Sequence, residues 1–189
     1  YIFYHRQTNK QKCARQGCAE KLTIAPDGSI AQAEMTSCGL NNGPLKGRGR
    51  YEARIACNLY AKQGTIFYKK SFEKDAKKIH PYFTQTLPDR NTDSDQYIAN
   101  MRDGSVAGFK YFNFESAGHI QLRTRGGNGR MFVYTDLNSA PAAEIELADS
   151  NEWHTCAPAQ IACTPGVKPL YFVWHGEQPL DFYGFELMD

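Results

Sequence analysis

The sequence holds few residue patterns with an obvious chemistry. It has no Gly-x-Ser-x-Gly elbow, Gly-x-x-x-x-Gly-Lys loop or His-Glu-x-x-His helix. The backbone settings that expose a nucleophile, cradle a phosphate or hold zinc on one helix face are therefore missing. His5, His80, His119, His154 and His175 are scattered singly and read as surface or satisfied interior residues. Cleaving a glycosidic bond needs two carboxylates facing each other across roughly 5–10 Å. Glu144, Glu146 and Glu177 are the carboxylates that could line such a cleft. Asp89, Asp93 and Asp95 crowd one loop, a pattern that is either solvated or binds a hard cation such as calcium through oxygen.

Binding is better represented than catalysis. Trp153 follows the turn-like Asp149-Ser150-Asn151-Glu152, and Tyr97 begins a strand after the polar stretch from Arg90 to Gln96. Sugar rings present flat C–H patches that stack on such aromatics, while amides and carboxylates hydrogen-bond the hydroxyls. The same two rings would serve equally well as plugs closing the ends of a β-sandwich, and composition leaves both readings open.

The elements that must position these residues are strands. Aromatics make up 13% of the chain, and 16 Gly and 9 Pro punctuate it, a mix suited to short strands and turns. Strand patterns recur over Tyr1–Arg6, Tyr51–Tyr60, Phe109–Phe114, His119–Thr124, Met131–Thr135, Ala143–Leu147, Trp153–Cys156, Leu170–His175 and Leu180–Leu187. Pro26-Asp27-Gly28-Ser29 predicts a hairpin between Lys21–Ile24 and Ile30–Glu34. Ser71–Lys78 reads as either a helical turn or a solvated loop. The glycines between Gly39 and Gly49 mark a linker, with a boundary near Leu45. Residues 1–45 hold too few strands to be stable alone, and 46–189 suffice for an all-β, two-sheet sandwich.

Net charge is +2, from 22 Lys and Arg against 20 Asp and Glu, far from the basic excess that nucleic acid requires. No apolar run approaches the ~18 residues of a membrane helix. The chain begins at Tyr1 without a leader pattern and reads as a piece of a longer one. Cys13, Cys18, Cys38, Cys57, Cys156 and Cys163 lack zinc spacing. Cys156 and Cys163 either bridge across a hairpin or, like the others, stay as buried thiols.

Several strings, in order, carry a family resemblance. YIFYHRQT (Tyr1–Thr8), PDGSI (Pro26–Ile30) and EMTSCGLN (Glu34–Asn41) resemble the last blade of the five-bladed propeller of family 43 glycoside hydrolases. YEARIACNLYA (Tyr51–Ala61), HPYFTQ (His80–Gln85), DQYIANMRDG (Asp95–Gly104), AGFKYFNF (Ala107–Phe114), the Asn151-Glu152-Trp153 turn and LDFYGFEL (Leu180–Leu187) resemble the family 6-type carbohydrate-binding module that follows in some members.

The resemblance implies a jelly-roll β-sandwich (46–189) preceded by a partial propeller blade (1–45). It also implies a chain without the family's catalytic carboxylates, which lie on earlier blades. His5 would lie near the propeller axis, with Arg6 reaching toward the sugar pocket. In the module, Tyr97 and Trp153 match two loop aromatics that sandwich a sugar, and Asn100 joins the candidate ligand-binding set. The family's Asn donor is replaced by Pro179, with Gln178 the nearest substitute. The structural calcium would keep Asp181 but meet Cys57 where the family has Glu, and Val106 stands where a Trp is often found. The partners implied are a xylan- or arabinoxylan-like polysaccharide and a propeller catalytic domain, in a secreted or periplasmic protein, with no nucleic acid and no membrane. The alternative is a structural sandwich that docks on the propeller without touching ligand.

Overall fold

The computed structural model describes residues 1–11, 13–65, 78–88 and 94–189. All but the last residue of the turn expected over Ser71–Lys78, together with Asp89 and Asp93, lie outside the described residues. The fold is all-β, a jelly-roll sandwich preceded by a partial blade.

The partial blade is a hairpin, β1 (Ile2–Gln7) antiparallel to β2 (Arg15–Glu20), in a sheet of its own. The turn at Pro26–Ser29 forms, closed by Gly28 N–H to the Ala25 carbonyl at 2.9 Å and with Gly28 at φ +84°. Its arms, however, meet only at a single Ile24–Ile30 bridge. The expected strand Lys21–Ile24 is displaced by β2, whose polar run RQGCAE carries no alternation to announce it.

The sandwich then begins. β3 (Leu45–Lys46), β5 (Asn58–Tyr60), β8 (Val106–Phe114), β10 (Gly129–Tyr134), β11 (Ala143–Leu147) and β14 (Gly166–Gly176) form one sheet, in the order β11-β10-β14-β8-β3, with β5 also on β8. The second sheet contains β4 (Gly49–Glu52), β6 (Tyr82–Gln85), β7 (Gln96–Met101), β9 (Gly118–Gly126), β12 (His154–Thr155), β13 (Ala159–Ile161) and β15 (Leu180–Met188). Its order is β12-β9-β15-β7-β6, with β4 on β15 and β13 on β9.

One expected strand divides. Tyr51–Tyr60 runs from β4 through a 3-10 turn at Ala53–Ile55 into β5, and so crosses from one sheet to the other. The fully buried Ala53 and Ala56 let the chain turn tightly between the sheets. Burial does not follow the expected alternation through the crossing: Ala53, Ala56 and Cys57 are buried, Ile55 and Leu59 half-buried.

That core is aromatic. Phe172 of β14 lies 4.8 Å from Phe185 and 5.1 Å from Phe182 of β15, and Phe109 of β8 packs edge-on to Phe172 at 5.3 Å. Each such pair adds roughly 0.5–1.5 kcal/mol beyond its buried area. All six cysteines are free thiols. The Cys156–Cys163 bridge is not made; the Cys156 Sγ accepts the Leu122 N–H at 3.1 Å instead.

The hairpin is clamped to the sandwich. Arg6 donates to the Ala56 and Arg54 carbonyls and to Gln16 Oε1, and its guanidinium lies 3.7 Å from the Phe83 ring centre. Asn9 N–H reaches the Phe83 carbonyl at 2.8 Å. Lys110 Nζ lies 2.7 Å from Glu34, and the Tyr111 hydroxyl donates to the same carboxylate at 3.0 Å.

Candidate functional site

The outer face of the second sheet carries the polar and aromatic side chains that the core leaves over. Side chains alternate between faces along a strand, so Gln121, Arg123 and Arg125 of β9 point outward while Ile120, Leu122 and Thr124 are buried. On β15 the same logic exposes Asp181, Tyr183 and Glu186 around the buried Phe182, Phe185 and Leu187. The phase changes because Phe182 pairs with Thr124 and Gly184 with Arg123, which leaves Tyr183 as the extra residue of a bulge.

At one end of this face is a hollow of about 460 Å³ lined by Tyr82, Tyr97, Asn100, Arg125, Asn151 and Asp181, with Ser150 and Pro179 at its edge. Asp181 is held on both oxygens: Oδ2 accepts from Arg125 Nη2 at 2.7 Å, and Oδ1 accepts the Asn100 N–H at 3.1 Å. The Arg125 guanidinium loses hydration by burial, yet its bonds to Asp181 and Tyr97 raise its pKa overall. Asn100 bends the end of β7 with φ +61°, a left-handed conformation that Asn tolerates. Its side-chain amide donates to the Lys78 and His80 carbonyls at 3.0 Å each.

The structure brings Tyr97, Asn100 and Asp181 together and sets Trp153 against Tyr97. It does not reproduce the expected sandwich. The Tyr97 and Trp153 ring centres are 5.0 Å apart at 76°. A sugar between two parallel rings needs about 7–8 Å, twice a carbon–carbon contact distance. The two rings pack edge to face, and Tyr97 is only 9% exposed. Trp153 is also edge-on to Tyr183 at 5.5 Å, and Arg125 lies 4.5 Å from the Trp153 ring centre.

Other expected positions fall elsewhere. Gln178 is exposed, its carbonyl accepting Trp174 Nε1–H at 3.1 Å, and it is Pro179 that lines the hollow. His5 is exposed on β1. Arg6 is spent on the clamp at the hairpin–sandwich junction. Glu144 and Glu146 both pair with Arg130, at 2.7 and 3.1 Å, so they share one cation instead of facing across a cleft.

A calcium ion does not fit at Asp181. Its oxygens are engaged by a guanidinium and a backbone amide, and Cys57, in the position of a family Glu, is buried with its thiol on the Gly108 carbonyl at 3.5 Å. A hard cation prefers oxygen ligands and is repelled by a cation at that distance. Among the described residues no group of three or more His, Cys, Asp or Glu could hold a metal, and no helix is long and apolar enough to cross a membrane.

Sequence reasoning missed Arg125, Tyr82 and Tyr183. The period-two spacing of Gln121, Arg123 and Arg125 was the available signal for the first. The other two depend on register, which a single strand does not reveal.

The sandwich built around this hollow is of the kind seen in family 6 carbohydrate-binding modules. It superposes on a β-1,3-glucan-binding module from Bacillus halodurans with a TM-score of 0.60 at 14% identity, covering 78% of this chain and 100% of that one. For a module from Clostridium stercorarium in complex with cellobiose the TM-score is 0.57 at 14% identity, covering 78% and 98%. Hairpin and sandwich together match a family 43 arabinoxylan arabinofuranohydrolase from Bacillus subtilis, solved with cellotetraose, at a TM-score of 0.61 and 13% identity over 93% of this chain and 34% of that one. In sequence, the chain is 40% identical over 188 residues to a xylosidase/arabinosidase of Thermoclostridium stercorarium, covering 99% of this chain and 39% of the relative's length. No family model matches the chain. The chain is therefore similar in sequence to part of a xylosidase/arabinosidase, of which it spans 39%, and similar in fold to part of a family 43 enzyme and to family 6 modules.

Proposed function

We propose that the chain binds xylan- or arabinoxylan-like polysaccharide without cleaving it, as the C-terminal part of a secreted or periplasmic glycoside hydrolase of arabinofuranosidase or xylosidase type. The observation that carries this reading is the hollow beside Trp153, where an ordered Arg125–Asp181 pair, Asn151 and the Tyr82 ring converge. Sugar hydroxyls both donate and accept, so a guanidinium and a carboxylate fixed side by side can each satisfy one. The 40% identical xylosidase/arabinosidase supports the substrate class. Polar contacts dominate over stacking, and with an open site this gives a weak Kd, on the order of 0.1–1 mM.

Titration calorimetry of the 189-residue chain against xylo-, arabino- and gluco-oligosaccharides tests it. Binding of the xylose- or arabinose-containing ligands, lost in Trp153→Ala, is the expected result; no heat from any member overturns it. Flat progress curves on aryl arabinosides and xylosides are expected of the same preparation, and turnover would remove the non-catalytic assignment.

One observation favours a docking role as well. Seven of the eleven exposed large hydrophobics among the described residues lie in 1–45, with Phe3 at 72% and Ile24 at 65% exposure. That segment fits the edge of a propeller whose other blades would cover it.

A further inference from the structure

One wall of the hollow is held by chain that precedes the sandwich. β6 stands last in the strand order of the second sheet, where an edge leaves backbone groups for something to cover. The turn joining β1 to β2 covers it. Asn9 N–H donates to the Phe83 carbonyl at 2.8 Å, the Thr84 hydroxyl donates to Asn9 Oδ1 at 2.6 Å, and Lys10 Nζ rests 3.9 Å from the Tyr82 ring centre. Consecutive residues of β6 are thus engaged by consecutive residues of the hairpin.

The turn itself breaks a local preference. Gln11 N–H closes it on the Thr8 carbonyl at 3.1 Å, and its central residues, Asn9 and Lys10, have φ +55° and +49°. A turn with both central residues left-handed is the mirror-image type that favours Asn followed by Gly. Asn9 obeys the rule. Lys10 stands where glycine is favoured and carries a Cβ into a region that is costly for it. Departures of this kind gather where a side chain is needed, and the Lys10 side chain lies on Tyr82.

Tyr82 connects the turn to the hollow. Register sets Thr84 opposite Tyr97 and Tyr82 opposite Ala99, so Tyr82 and Tyr97 share the outer face, and both line the hollow with Asp181. Burial, then Asp181 and Tyr97, raises the pKa of the Tyr82 hydroxyl, as expected of a ring that reaches from Lys10 to the Arg125–Asp181 pair. Burial, then the Lys10 ammonium, lowers the pKa of His80, whose carbonyl accepts the Asn100 amide at 3.0 Å.

We infer that Lys10 is a positioning residue of the carbohydrate site: from the hairpin it fixes the Tyr82 wall of a hollow carried by the sandwich, so that the two segments build one site. This rests on the carbohydrate-binding reading of the hollow. An ammonium over a ring face is attracted by the ring's quadrupole, and a wall ordered in advance spares the freedom otherwise lost on binding. Arg6 and Asn9 dock the hairpin, whereas Lys10 sets the ring.

The test is calorimetry of the full chain, Lys10→Gly and Lys10→Arg with the tightest-binding of a panel of xylo-, arabino- and gluco-oligosaccharides, alongside thermal midpoints and limited proteolysis of the 1–45 segment. Lys10→Gly is expected to bind about three- to tenfold more weakly, the cost of ordering one side chain. Its midpoint should stay at or above the parent's, because glycine relieves the left-handed conformation. Lys10→Arg, which keeps a cation for the ring, should keep the affinity. Affinity that falls while stability holds is not what a merely structural residue gives. Parent-like affinity in Lys10→Gly, equal weakening in Lys10→Arg, or a loss accompanied by a lower midpoint or faster cleavage of 1–45 overturns the role of Lys10 and leaves the hollow intact. A parent that binds no member of the panel overturns the carbohydrate reading, and the role of Lys10 with it.

Discussion

Arg125 bridges Asp181 and the Tyr97 hydroxyl, donating at 2.7 and 3.2 Å through the same nitrogen. The side chains are 30% and 25% exposed, so the bond is partly desolvated and partly screened, and it contributes about 1–2 kcal/mol. Asp181→Asn should therefore shift the thermal midpoint by only a few degrees while weakening xylo-oligosaccharide binding about tenfold. Calorimetry and thermal melts on the same protein separate the two effects. A large stability loss with unchanged affinity would assign the pair to the fold alone.

Arg6 is expected to govern hairpin docking. Arg6→Ala removes the side-chain donor of the Ala56 carbonyl and leaves the Arg54 carbonyl only Gln16 Nε2 at 3.3 Å, and Arg6→Lys cannot reproduce a planar fork that meets two carbonyls and Gln16. Both should destabilise the hairpin by about 2–3 kcal/mol and open the 1–45 segment to limited proteolysis while the 46–189 core resists. Equal protection of parent and variants would contradict the clamp.

Acid should loosen the Glu34 contact. The Lys110 ammonium, then the Tyr111 hydroxyl, holds the Glu34 carboxyl below its ordinary value. A depressed carboxyl stabilises the fold above its unfolded pKa, about 4.3, and loses that contribution as pH falls through the lower folded value. Thermal midpoints between pH 6 and 3 should drop less in Glu34→Gln than in the parent. Because Glu34 is half exposed, the difference is expected to be small and to shrink in high salt.

Gly184→Ala should be costly. A Cβ there would lie 2.3 Å from the Tyr51 carbonyl oxygen, so β4 would have to move off β15. A destabilisation of about 2 kcal/mol, read by urea unfolding, is expected. Wild-type stability in this variant would mean that β4 is free to yield.

The sandwich was legible because its strands report the core directly: Phe109, Phe112, Leu170, Phe172, Phe182 and Phe185 recur at strand spacing and are all buried. The division of Tyr51–Tyr60 was hidden because Ala53, Ile55, Cys57 and Leu59 recur at strand spacing, whereas the residues actually buried are Ala53, Ala56 and Cys57. At the site, Tyr97 and Trp153 lie in contact but edge to face, beside Arg125, which arrives from a strand remote in sequence. The clamp made by Arg6 was hidden for a related reason. A guanidinium at the end of an aromatic string looks like a ligand contact until the carbonyls of a 3-10 turn fifty residues away are seen to take it.

The parallel pairing of Leu45–Lys46 with Phe112–Asn113, added to the Arg6 clamp, removes the slack expected of a Gly-rich connection. A carbohydrate held on β9 and β15 is thus presented at one angle to whatever seats on the exposed Phe3 and Ile24. Lengthening the 39–49 stretch would not extend its reach, because the bearing is set by paired backbone and not by a swinging leash.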